Sequence, residues 1–237
     1  MSEGEAEGST AGRDGAGTAD RVFRLVVLAS GSGTNLQAII DQLHGRPADP
    51  RIEVALVISD VPGARALERA RAAGIATAVF PVADYKSRAA HDLAMVSAVE
   101  EAGADLVVLA GYMRLVSPEF VHCLPDRIIN LHPALLPAFP GTTSISDAVQ
   151  YGVKVTGVTV HFVDEGLDSG PIIAQEPVRV EEGDTPESLA VRIHAVEHRL
   201  LPATIRLIAA GRAVPPLPGS RVVQVDWSGG EDGPARA

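Results

Sequence analysis

The chain has 237 residues, 46% hydrophobic, 4% aromatic and 21% charged, with 30 acidic against 20 basic side chains and a formal net charge of −10. That apolar fraction excludes an intrinsically disordered chain, and the acidic balance argues against a nucleic-acid partner. The single cysteine, Cys123, excludes an intrachain disulfide and a Cys-rich zinc cluster.

No apolar run reaches the roughly 18 residues of a membrane span. Residues 1–20 hold five acidic residues, five glycines and one arginine. They read as a disordered tail without the apolar core of a signal peptide. A soluble cytoplasmic protein without a membrane partner is expected. One domain is expected over residues 21–211. Residues 212–237 form a C-terminal extension whose end is again disordered.

In chain order, Val22 to Ala29 is a nearly continuous apolar run, as in a strand buried on both faces. The small-residue loop Ser30-Gly31-Ser32-Gly33-Thr34-Asn35 follows, then a helix with Leu36, Ile39, Ile40 and Leu43 on one face. Ile52 to Ser59 reads as the second strand, Ala64 to Ala73 as a helix stopped by Gly74, and Ile75 to Phe80 as a short strand. Ser87 caps a helix running to Ala102. Leu106 to Ala110 and Ile128 to Leu131 are further buried strands. Val153 to Val163 is β-branched and alternating, and Ile172 to Val180 can pair with it as a hairpin. A last helix starts at Asp184-Thr185-Pro186 and reaches about Ala210. This order predicts an α/β fold, a mostly parallel open sheet with helices on both faces. Ligands in such folds sit at the carboxyl ends of the strands.

Three clusters carry chemistry. The Ser/Gly loop opens a helix, and its backbone N–H groups can hold a phosphate. It lacks the Lys-Ser/Thr of an ATPase loop and the third glycine of a dinucleotide fingerprint, so a monophosphate fits better than ATP or NAD. An ordinary tight turn fits the spacing equally well. Asn130 and His132 lie two apart at a strand end and point to one face. An amide beside an imidazole can stabilise an oxyanion and move a proton; a capping Asn and a surface His are the plainer alternative. Asp164 to Pro171 is an acidic turn between strands, either simply solvated or carrying a carboxylate that faces His132.

The other histidines carry less. His161 alternates in a strand, in the core or on a sheet face. His44, His91 and His122 read as surface residues. His194 and His198 share a helix face, without a third ligand for a metal. Trp227 and Tyr151 read as packing residues.

Together the clusters resemble the folate-dependent phosphoribosylglycinamide formyltransferase family. The resemblance covers about Val22 to Gly211. It rests on Ser30 to Gln37, on Leu109-Ala110-Gly111-Tyr112-Met113-Arg114-Leu115, on Asn130-Leu131-His132-Pro133-Ala134-Leu135-Leu136-Pro137 and on Leu167-Asp168-Ser169-Gly170-Pro171. It implies the family's Rossmann-like fold and transfer of a formyl group from 10-formyltetrahydrofolate, as co-substrate, to the amine of glycinamide ribonucleotide in purine biosynthesis. Asn130, His132 and Asp168 would be catalytic. Gly33, Thr34, Asn35 and Glu197 would hold the ribonucleotide. Arg88, Met113, Arg114, Leu115, Val116 and Asn130 would line the folate site. No metal is implied, and the partners are small-molecule substrates, with a homodimer left open.

The chain departs from the family at Thr143, where a histidine is common, and throughout Thr142 to Ser146. Ala138 stands for a frequent Lys and Ala134 for a frequent Ser. Two relatives share the Asn-x-His and Asp signature. Methionyl-tRNA formyltransferase adds a carboxyl-terminal domain, for which the 26 residues after Gly211 are too few. Formyltetrahydrofolate hydrolase adds an amino-terminal domain and usually lacks Pro133 and Pro140. A silent binding protein on the same fold is the remaining alternative.

Overall fold

Strand β1 (Val22–Leu28) takes the position that its apolar run predicts. Leu25, Val26, Val27 and Leu28 are all fully buried. Successive side chains point to opposite faces, so Leu25 and Val27 enter one core while Val26 and Leu28 enter another. Burying one such side chain contributes about 1.5–3 kcal/mol. The computed structural model describes residues 21–48, 50–217 and 219–228. The tail expected at 1–20 and the last residues of the extension lie outside these.

Helix α1 (Thr34–Gln42) and β2 (Arg51–Ser59) follow, then α2 (Arg65–Ala72), β3 (Ala76–Val79) and α3 (Arg88–Glu101). Ser87 caps α3, its hydroxyl accepting from the Ala90 amide. Next come β4 (Leu106–Leu109), α4 (Pro118–Cys123), β5 (Ile128–His132) and α5 (Ser144–Tyr151). The chain continues through β6 (Val155–Phe162), β7 (Ile172–Arg179) and α6 (Pro186–Ala209) to a small pair, β8 (Ala213–Val214) and β9 (Gln224–Val225). Strand and helix bounds fall within two residues of those expected for every predicted element. Helices α4 and α5 and the β8–β9 pair are additions.

The seven-stranded sheet has the order β3-β2-β1-β4-β5-β6-β7. Strands β1 to β5 run parallel, and β6 is antiparallel to both of its neighbours. Helices α1, α2 and α6 cover one face and α3 and α4 the other. The order reverses between β1 and β4, which opens a crevice at their carboxyl ends, where ligands bind in such sheets. The β8–β9 pair and Trp227 pack on the α6 side of the core.

Candidate active site

Ser30, at the end of β1, ties the crevice together. Its hydroxyl donates to Asp60 Oδ1 at 2.6 Å and accepts from the Met113 amide at 3.0 Å. Met113 begins the segment that leaves β4, and residues 113–116 form one wall of a cleft of about 220 Å³. The backbone groups of Arg114 and Leu115 make no hydrogen bond among the described residues. At the end of the wall, Arg88 donates to the Val116 carbonyl from outside the cleft.

The opposite wall holds Asn130, His132 and Asp168. Strand β5 carries the first two on one face, and the turn after β6 brings Asp168 over them. Asp168 has a φ of +48°, a left-handed conformation that Asp tolerates better than most residues. Its Oδ2 accepts from the Gly141 amide at 2.7 Å and stands 3.4 Å from His132 Nδ1. His132 Nε2 lies 2.8 Å from the Phe139 carbonyl. A carbonyl and a carboxylate only accept, so the buried ring satisfies both when doubly protonated.

His161 completes the group. The β5–β6 register sets it opposite Asn130. Its Nδ1 faces its neighbour's carbonyl, Phe162 O, at 2.7 Å, and its Nε2 lies 3.2 Å from Asn130 Nδ2. The second Asn130 amide hydrogen reaches Asp168 Oδ1, also at 3.2 Å. Desolvation holds the buried His161 imidazole below its ordinary pKa, against the Phe162 carbonyl and the Asp168 charge. It is therefore a neutral acceptor, with its proton on Nδ1. Thr159, paired with His132 across the strands, donates to Ala134 O and accepts from the Leu136 amide, which fixes the proline-rich loop to the sheet.

Gly33, Thr34, Asn35 and Glu197 form a second group outside the cleft lining. Gly33, φ +69°, precedes α1, and Thr34 opens it. Asn35 Nδ2 donates to Glu197 Oε2 at 2.9 Å across 162 residues of chain, and His194 Nδ1 lies 2.8 Å from the same oxygen. Asn35 and Glu197 are buried, and Asn35 Oδ1 has no partner. The Glu197 carboxylate raises the His194 pKa.

Two expectations change, and one segment gains a structure. His91 is buried rather than on the surface, bonded to Asp92 and the Phe80 carbonyl. Tyr151 is 80% exposed and meets the Phe139 ring edge-on, so it is no core residue. The Thr142 to Ser146 segment starts α5, where Thr143 Oγ1 bonds Asp147 Oδ2 instead of capping the helix. Sequence reasoning missed Ser30 as a hinge of the crevice and Gly141 as a donor to Asp168. It also left His161 undecided. No composition signal marks these three; they follow from register and loop geometry. Among the described residues, no group of three His, Cys, Asp or Glu side chains is placed to hold a metal, and no helix is long and apolar enough to cross a membrane.

Residues 23–205 match the family described as formyl transferase. The chain is 47% identical over 186 residues to the phosphoribosylglycinamide formyltransferase of Mycobacterium tuberculosis, covering 78% of this chain and 85% of that one. It is 43% identical over 188 residues to the trifunctional purine biosynthetic protein adenosine-3 of Bos taurus, covering 79% of this chain and 18% of that one. Among solved structures it resembles glycinamide ribonucleotide transformylase 1 of Symbiobacterium toebii. There the TM-score is 0.81 and the identity 51%, over 86% of this chain and 94% of that one.

Proposed function

This chain belongs to the formyl transferase family, and we propose that it transfers a formyl group from 10-formyltetrahydrofolate to the amine of glycinamide ribonucleotide in purine biosynthesis. One observation carries the reading: Asn130, His132 and Asp168, two of them 36 residues or more from the third in sequence, line a single cleft together with residues 113–116.

The amine attacks the formyl carbon directly, so the protein's work is to position two substrates and to stabilise charge. The unbonded backbone groups of Arg114 and Leu115 match the polar edge of a pterin, and Leu115 and Val116 give apolar contact. Arg88 supports that wall through Val116. The loop before α1 takes the ribonucleotide phosphate on backbone N–H groups. The unpartnered Asn35 Oδ1, beside Glu197, is an acceptor for a sugar hydroxyl.

As the formyl oxygen gains charge, it displaces one of the two long Asn130 contacts and takes that amide hydrogen. His132 donates a proton to the folate nitrogen as its bond to the formyl carbon breaks, then takes up the proton that the attacking amine loses, so the ring ends as it began. Asp168 orients the ring. The reading includes a cytoplasmic setting, supported by a chain with one cysteine. No resident metal or cofactor enters; the folate is a co-substrate.

The test is formyl transfer by the purified chain, followed as formylation of the ribonucleotide amine. Product that depends on both substrates is the expected result. Formate release without acceptor at the same rate, or binding of both ligands without turnover, would overturn it.

A further inference from the structure

Behind the cleft lies a buried ionisable pair to which the mechanism gives no role. His91 and Asp92, at the start of α3, are 1% and 3% exposed. His91 Nε2 lies 2.9 Å from the Phe80 carbonyl at the end of β3, so it carries its proton. His91 Nδ1 lies 2.7 Å from Asp92 Oδ1. The other carboxylate oxygen, Asp92 Oδ2, accepts from the Ser117 amide at 2.6 Å and stands 3.9 Å from Arg88 Nε. Arg88 in turn holds the Val116 carbonyl. The Tyr85 ring closes the pair edge-on, at 5.2 Å from the His91 ring.

Burying such a pair is expensive, and apolar residues of similar size often stabilise a fold equally well. The bonds that the pair makes beyond α3 show what it is for. One end is fixed to the sheet through Phe80. The other accepts from the Ser117 amide, next to Val116, whose carbonyl Arg88 holds at the end of the cleft wall. The near end of the same wall is held by Ser30, which Asp60 orients. The wall thus hangs between two carboxylates, and the unbonded backbone groups of Arg114 and Leu115 lie between the anchors.

We propose that Asp92, braced by His91 and assisted by Arg88, is a positioning residue that sets the backbone of residues 113–117 for the one-carbon donor. The proposal rests on the reading of that wall as the folate side. A clamped loop presents its donors and acceptors in place, while a loose one must be ordered on binding, and that cost appears in the affinity for the ligand it contacts.

Two full-length variants test it. Asp92→Leu removes both carboxylate acceptors, the one for the Ser117 amide and the one facing His91, at similar side-chain volume. The double variant His91→Phe/Asp92→Leu removes the pair altogether, which leaves no lone buried charge to unfold the protein. Both should raise KM for 10-formyltetrahydrofolate by about tenfold while KM for the ribonucleotide stays within about twofold. Without ligand, amide exchange over residues 113–117 should quicken, with exchange in β1 and β4 unchanged. Equal rises in both KM values, or wild-type exchange over 113–117 in folded variants, would overturn the proposal. Should the wild-type chain transfer no formyl group, the functional reading falls, and the exchange comparison still decides the clamp on its own.

Discussion

A Cβ atom placed on Gly33 would lie 2.7 Å from the Cα of Ala66, closer than side-chain carbons approach in folded proteins. Gly33 also has a φ of +69°, a conformation that glycine adopts without penalty. The residue is therefore required where α1 passes α2, before any phosphate is considered.

Gly33→Val should accordingly lose stability, by about 1–3 kcal/mol, through overpacking and backbone strain. The measurement is chemical denaturation without ligand. Gly31, whose added Cβ would meet nothing within 4 Å, is the cleaner probe of the phosphate reading. Gly31→Ala should keep stability within about 0.5 kcal/mol. If its methyl group keeps the ligand from the loop, ribonucleotide affinity falls while folate affinity stays. Weakening of both ligands alike would count against a phosphate site in this loop.

The second prediction concerns the folate side. A folate analogue should slow amide exchange over Met113 to Val116, because Arg114 and Leu115 have backbone groups free to bond it. Protection of residues 31–36 alone would mean that the two substrate sites are reversed.

The contrast between these regions shows what could be read from the chain. The four-residue apolar run in β1, the Ser87 cap and the alternation of β6 are local patterns, and each gave its element directly. Asn130 and His132 share a face because they are two apart in a strand. His161 was left open because its place beside Asn130 depends on the β5–β6 register, which period-2 patterning does not contain. Asn35 meets Glu197 only after α6 has returned across α1. His91 looked like a surface residue because a buried His–Asp pair and an exposed one have the same spelling. Helix α5 was missed because Thr-Thr-Ser-Ile-Ser has low helix propensity, and neighbouring packing overrides it.

The third prediction is a pH dependence of stability. Desolvation holds the His161 pKa below its ordinary value of 6.5 in the folded state. The unfolded chain therefore takes up a proton first as pH falls. Stability is intact above the unfolded value and declines as pH drops through it toward the folded one. His194 has the opposite sign, because Glu197 raises its pKa above 6.5. Its contribution is complete below the unfolded value and is lost as pH rises through the folded one. Denaturation of His161→Leu should show less acid sensitivity than wild type below the ordinary imidazole value of 6.5. His194→Gln should be weaker than wild type in acid and approach it in mild alkali. The same pH trend in both variants would contradict the assignment.

The last prediction joins Asp168 to His132. Asp168 Oδ2 is shared between the Gly141 amide at 2.7 Å and His132 Nδ1 at 3.4 Å. The carboxylate thus does two things: it holds the turn and it faces the imidazole. The left-handed φ of +48° decides which variant separates them. Alanine at that φ adds strain, whereas asparagine tolerates it. Asparagine can still accept from Gly141, but it has no charge to offer His132. Asp168→Asn should therefore fold with near-native stability and lose activity. His132→Ala should lose at least as much, because it removes the charged ring itself. Acid–base groups of this kind contribute about 10²–10⁴-fold. The two changes strike one unit, so the double variant should lose far less than the product of the single losses. If Asp168 served only the turn, Asp168→Asn would keep both the turn and near-normal turnover. A fully multiplicative double variant, or near-normal turnover in folded His132→Ala, would remove His132 and Asp168 from the mechanism.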